Sequence, residues 1–228
     1  MKSAMRTLTA VAIAVVCALA MPATADDSIG KEFTFPHDEI GQVPVYRDPE
    51  TKALLFVSQM HVNIDGAPDA YHPDDIGTCH ICNGIGVGAG GQWKANCLPE
   101  FNTAKAEGFE GPTRIKWFGM ATEDGKPFGK PVIQTDGDPN PGYFVSTTAL
   151  QQPGLNSKTP QAQLNSNEVP FIVIPVKWNR SSEPGVKLGD FAAVLRLSNE
   201  KMAYAIVGDT GPNAKLGEGS VALHQALG

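Results

Sequence analysis

Glycine and proline punctuate this chain so densely, at 24 and 18 of 228 residues, that hardly any stretch keeps the 3.6-residue apolar period of a packed helix. Between the breaks lie short runs rich in β-branched residues, the mark of strands bounded by turns. Candidate strands are 43–46, 54–62, 113–120, 132–134, 143–148, 171–175, 192–197 and 202–207. Their length and spacing predict an all-β fold, a closed barrel with long loops rather than a layered α/β sheet. Residues 190–207 read as a hairpin around the polar turn 198–201, and its second strand, apolar on nearly every residue, is expected to form a buried wall. One helix is expected, 220–227, with Leu223, Ala226 and Leu227 on one face and Gly228 as its stop. Segments 76–93 and 151–167 read as loops.

The N-terminus has a different character. Lys2 and Arg6 precede an apolar run, 10–20, and Ala23-Thr24-Ala25 stands before Asp26-Asp27. That order is a secretory signal peptide over 1–25. The run is short for a bilayer span and no basic residue follows to stop transfer, which argues against a permanent anchor. The remainder, 26–228, has the length of one domain and is expected to be a single catalytic domain, acting as a monomer outside the cytoplasm, secreted or periplasmic. It is also more acidic than the full chain's −6, because Lys2 and Arg6 leave with the leader. An acidic surface repels nucleic acid and anionic lipid, so neither a nucleic-acid partner nor a membrane partner is expected after signal removal; a polycation would be attracted.

Outside the leader, Cys79, Cys82 and Cys97 form an odd set in a compartment where thiols pair. One disulfide and one leftover thiol are expected. Cys79-His80-Ile81-Cys82 has the gap of a zinc knuckle, and Cys97 with His72 or His80 would complete four ligands, but a second closely spaced pair is missing. The disulfide is preferred, and no metal or other cofactor is expected. No Gly-x-Ser-x-Gly elbow, phosphate-binding glycine loop or His-Glu-x-x-His helix occurs.

The chemistry concentrates at the C-terminus. An apolar strand ends at Asp209, Thr210-Gly211-Pro212-Asn213 turns the chain, and Glu218, flanked by Gly217 and Gly219, opens the last helix. Two carboxyl groups brought together are what glycosidic cleavage requires, one to protonate the leaving oxygen and one to activate water or attack the sugar. The glycines would let a polysaccharide approach the backbone. The plain alternatives are that Asp209 caps turn amides and that Glu218 complements a helix dipole. Around the acids, Asp65 and Asp69 flank a tight turn, followed by Tyr71 and His72; with Tyr143, Ser146 and Thr147 they are the candidate sugar-binding groups, carboxylates for ammonium and rings for stacking.

The segment 204–223 resembles the end of the chitosanases of glycoside hydrolase family 75, in which a Gly/Ala-Asp-x-Gly-Pro turn precedes Gly-Glu-x-Ser and a short Ala/Leu helix. Segments 65–73, 141–150 and 169–175 resemble the same family and its bacterial relatives. The resemblance implies an endo-acting hydrolase of β-1,4-glucosaminide bonds in chitosan, working with inversion, and places the essential acids at Asp209 and Glu218. Segment 79–83 and the glycine run after it depart from the fungal pattern. The Asp-x-Gly-Pro turn feeding a terminal helix also looks like double-psi β-barrels, including family 45 endoglucanases, expansins and rare-lipoprotein-A-type lytic transglycosylases. Rival readings are a non-catalytic polysaccharide-binding barrel and a peptidoglycan-active lytic enzyme.

Overall fold

The computed structural model describes residues Val11–Ile13 and 30–228. The strands are β1 (Val11–Ile13), β2 (Gly30–His37), β3 (Gly41–Arg47), β4 (Leu54–Ser58), β5 (His61–Asn63), β6 (Ile85–Val87), β7 (Ile115–Trp117), β8 (Phe171–Pro175), β9 (Phe191–Arg196), β10 (Lys201–Gly211) and β11 (Glu218–Ser220); the α-helices are α1 (Leu98–Ala106), α2 (Val176–Arg180) and α3 (Val221–Leu227). The protein is mostly β with few helices, as the sequence predicts. The expected leader lies outside the described residues apart from β1. Among the described residues no helix is long and apolar enough to cross a membrane.

Two compact units share the chain: Met1–Asn63 with Val169–Gly228, and Ile64–Glu168. The first holds a nine-stranded sheet ordered β2-β3-β4-β1-β9-β10-β8-β11-β5, curled into a half-barrel. Most neighbours are antiparallel, but β10 runs parallel to β8 and β11 parallel to β5. The core covers one face of this sheet, with Phe35, Val45, Phe56, Ile172, Ile174, Val194, Val207, Leu216, Leu223 and Leu227 in one cluster. Trp178 of α2 meets Phe33, Phe35 and Phe56 in near-perpendicular ring pairs at 5.6–6.4 Å between centroids. Such edge-to-face contacts align the positive ring rim with the neighbour's π-face.

The second unit pairs β6 with β7 and otherwise relies on turns and isolated bridges. Its centre is aromatic: Phe101 of α1 with Phe109, Trp117 and Phe144, at centroid separations of 5.3–6.5 Å. A disulfide joins Cys82 to Cys97, and Cys79 keeps a free thiol. With two of the three sulfurs bonded to each other, the zinc alternative loses its ligands, and among the described residues no cluster fit for a metal ion is found.

Several local expectations change. Segments 132–134 and 143–148 contribute only isolated bridges, such as Ile133 to Phe144, and 54–62 breaks between β4 and β5. Helix α1, with proline in its first turn, and helix α2 were missed, as were β2, β6 and β11. The second hairpin strand is not a wall buried on both faces: along β10, Met202 and Tyr204 are exposed while Ala205 and Val207 are buried, the period-2 pattern of a sheet covered on one side. Apolar content alone cannot separate the two cases, because the exposed positions are themselves Met and Tyr.

Candidate active site

Strand β8 is the axis of the site. Its Val173 is the register partner of Asp209 on the parallel neighbour β10 and of Glu218 on the antiparallel neighbour β11. Directly paired residues project to the same face. Ile172 and Ile174 belong to the core, so Val173 and both acids lie on the opposite face. The two α-carbons are therefore two strand spacings apart, about 10 Å.

A bulge makes this arrangement possible. Val207 pairs with Ile172 and Asp209 with Val173, so Gly208 is an extra residue. Without it, the strict alternation that places Val207 in the core would give the partner position of Val173 to Gly208. Two local expectations are corrected here: β10 does not end at Asp209 but continues to Gly211, and Glu218 lies on β11 rather than opening a helix. The helix starts only after Ser220, whose Oγ accepts from Leu223 N at 3.2 Å and from Phe171 N at 3.0 Å and donates to Val169 O at 2.8 Å.

The Glu218 carboxylate extends over β8 toward β10. A β-carbon placed on Gly211 would stand 3.0 Å from Glu218 Oε2 and 3.1 Å from Val173 Cγ1. Gly211 lies two residues beyond Asp209, a rise of roughly 7 Å, so the carboxyl groups face a common strip of β10. Asp209 is 6 % exposed, and its Oδ1 accepts from Thr210 N at 2.7 Å. Lys215 Nζ lies 3.0 Å from Glu218 Oε1 and 3.9 Å from Glu39 Oε1. Glu39 Oε2 in turn lies 3.0 Å from His61 Nε2, off the angle of a hydrogen bond. His61 is the β5 register partner of Glu218, so Lys215, Glu39 and His61 gather around the Glu218 end.

The loop 212–217 that carries the chain between the acids is fixed by its backbone. Leu216 O accepts from His37 Nε2 at 3.0 Å and Ser58 Oγ at 3.2 Å, Ala214 O accepts from Asp38 N at 2.9 Å, and Gly217 O accepts from His61 N at 2.7 Å. A carbonyl only accepts, so His37 carries its proton on Nε2, leaving Nδ1 to accept from Glu39 N at 3.1 Å. The glycines flanking Glu218 serve packing: Gly217 has φ +87° and a β-carbon there would meet Gln59 O at 1.9 Å, while one on Gly219 would meet Met60 Cε at 2.3 Å. Chain–chain contact, rather than approach of a sugar, requires them.

The candidate sugar-binding residues all belong to the second unit, whereas the acids belong to the first. Tyr71 is buried and donates to Asp65 Oδ1 at 3.1 Å; burial, reinforced by the Asp65 charge, holds its hydroxyl well above the ordinary tyrosine range. Ser146 is buried, accepting from Gly66 N at 3.0 Å and donating to Gly119 O at 3.2 Å, and Thr147 N donates to the same carbonyl at 2.8 Å. Asp69 accepts from Thr78 Oγ1 and Asn167 Nδ2 at 2.8 Å each. His72 and Tyr143 meet edge to face at 4.6 Å and stay partly exposed. The structure thus gathers Asp65, Tyr71, Ser146 and Thr147 around Gly66 and Gly119, with His72 and Tyr143 as a separate ring pair. Burial pushes the Cys79 thiol up, away from the nucleophilic thiolate. A cleft of about 420 Å³ in this unit is lined by Phe109, Arg114, Trp117, Phe128 and Lys130, none of them a predicted site residue.

Sequence reasoning missed Glu39, His61, Lys215 and Gly211. The first two are far from the C-terminal motif along the chain: His61 meets it through strand pairing, and Glu39, in the turn between β2 and β3, through its ion pair with Lys215. Lys215 and Gly211 lie within the motif but carry no signal until Glu218 is seen to reach them.

A model of the family described as fungal chitosanase of glycosyl hydrolase group 75 matches residues 88–228, which include both acids. No curated protein matches the chain. With well over half of its length matched, the chain belongs to glycosyl hydrolase group 75, a chitosanase family of glycoside hydrolases whose substrate is a polysaccharide.

Proposed function

We propose that this glycoside hydrolase is an exported, endo-acting chitosanase that cleaves β-1,4-glucosaminide bonds with inversion, and that Asp209 and Glu218 are its catalytic pair. The observation that carries this reading is the pairing of both acids with Val173, on the face of the sheet away from the core. Inverting enzymes hold their carboxyl groups about 6.5–9.5 Å apart to admit water, retaining ones about 5–5.5 Å. The two-strand spacing and the reach of Glu218 toward Gly211 favour the wider arrangement. Glu218, ion-paired with Lys215, suits the base that takes a proton from water; Asp209, the more buried acid, suits the proton donor to the leaving oxygen.

The mature protein acts as a monomer outside the cytoplasm, and its acidity suits a polycationic substrate. Asp65, Asp69, Tyr71, His72, Tyr143, Ser146 and Thr147 serve that substrate, His72 and Tyr143 by direct contact and the others by holding the turns of the second unit. The half-barrel is read as the core of a double-psi-type barrel, a reading supported by its two parallel strand pairs within an otherwise antiparallel sheet. Leader removal after Ala25 would take β1 from between β4 and β9, and the N-terminal mass of the exported protein reports it.

The decisive experiment is reducing-end release from soluble chitosan by the wild type, Asp209→Asn and Glu218→Gln. Activity in the wild type and a loss of at least a thousandfold in both isosteric variants is expected. Full activity in either variant removes the acid pair, and activity on peptidoglycan instead of chitosan removes the substrate.

A further inference from the structure

The same face of the sheet carries two exposed rings for which the acid chemistry has no use. On β9 and β10, Phe191 is 80 % exposed and Tyr204 65 %, with Met202 at 54 % beside them. Register fixes their positions: Tyr204 pairs with Ala193, and Phe191 pairs with Ile206. Ile206 also pairs with Phe171 on β8, two residues before Val173 on the same face. Met202, Tyr204, Ile206 and, past the bulge, Asp209 therefore form one row along β10. Phe191 stands beside that row roughly 7 Å short of Asp209, and Tyr204 about 13 Å short of it.

The core-facing positions of these strands, Ala192, Val194, Ala205 and Val207, are small or β-branched and buried. The large rings are thus on the side where they add nothing to the core. Two rings and a methionine on adjacent strands make a flat apolar strip, the kind of patch that marks an interaction surface. The partner is indicated by continuity, because the strip runs along β10 into the carboxyl pair, whose family acts on a polysaccharide. Pyranose rings present an apolar C–H face that lies flat on an aromatic ring. None of Phe191, Ala193, Leu195, Met202, Tyr204 and Ile206 is charged, so the strip neither repels nor competes for the amines of a glucosamine polymer, leaving those to the acids.

We propose that Phe191 and Tyr204 form a stacking subsite for the polysaccharide chain, a few sugar rings from the bond that is cut. The proposal rests on Asp209 and Glu218 being the catalytic pair for the identity of the partner; binding itself is measured without turnover. The test is a depletion isotherm on chitosan beads with Asp209→Asn as the inactive parent, and with Phe191→Ala plus Tyr204→Ala added to it.

The added pair is expected to weaken binding at least tenfold, and Tyr204→Trp is expected to hold affinity within twofold of the parent. Both side chains are exposed, so melting temperatures should agree within about 2 °C, which separates lost stacking from lost fold. In the active background the pair raises KM on long chitosan far more than it lowers kcat. Unchanged bead affinity overturns the subsite. So does a variant that splits a dimer in sedimentation while binding chitosan normally, which would make the strip an interface with a second copy. If Asp209→Asn proves active, the catalytic assignment fails, while the isotherm, run at low temperature and short contact, still tests the rings.

Discussion

At the scale of single residues, Gly211 shows how little room the site allows. Its hydrogen faces Glu218 Oε2, and the φ/ψ freedom of glycine is not the reason for its presence; a methyl would arrive at 3.0 Å from that oxygen. Gly211→Ala is therefore expected to displace the carboxylate by a few tenths of an ångström and to lower kcat by roughly 10-fold, since a misplacement of a full ~1 Å costs about 100-fold. The melting temperature should change little, because the methyl points away from the core. Reducing-end assays beside a thermal melt check this, and wild-type kcat in the variant would mean that Glu218 is not held where the chemistry needs it. Lys215 shows the complementary point. It is three residues before Glu218 in the sequence, and only the fold makes it the cation shared by Glu218 and Glu39.

At the scale of elements, α3 links the site to stability. Ser220 caps it and also ties β11 to β8, so the strand carrying Glu218 and the helix after it are fixed by one hydroxyl. Within α3, His224 Nε2 is buried with no hydrogen-bond partner among the described residues. Burial pulls this imidazole below its ordinary value of 6.5; a bond to the His61 backbone opposes the shift, and the charge of Arg196 adds to it. Between the lowered folded value and 6.5 the unfolded chain binds more protons than the folded one, so stability rises with pH there. The protein should lose stability as pH falls below about 6.5, and His224→Gln should flatten that part of the curve. Urea midpoints at pH 7.5 and 5.5 for both proteins measure it; equal losses in the two would remove His224 as the cause.

At the scale of the whole molecule, the chain leaves the first unit after Asn63 and returns at Val169, so the second unit is an insertion in sequence. That unit has few paired strands, and its ring cluster is supplemented by the one cross-link, Cys82 to Cys97, closing a separation of 15 residues. A loop of that length restricts the unfolded chain by about 3 kcal/mol. Cys82→Ser with Cys97→Ser should lower stability by about that amount, read as an earlier calorimetric transition, whereas Cys79→Ser should leave it nearly unchanged. An unshifted transition in the double variant would place the stability of the unit in its aromatic centre alone.

Legible in the sequence were the β character, through glycine, proline and β-branched runs; the terminal helix, through its apolar face and stop; the one-bridge cysteine chemistry; and the two acids nine residues apart. These are local properties, carried by propensity and by short-range spacing. Tertiary structure alone decided that Asp209 and Glu218 face the same side, because facing depends on partners: both acids read their direction from Val173, more than 35 residues upstream, and the bulge at Gly208 sets the phase. It also decided which half of an apolar strand is bare. Met202 and Tyr204 look like core residues until Ala205 and Val207 are found to have taken the buried face, since hydrophobicity states what a side chain gains by burial and only packing states which side chains obtain it.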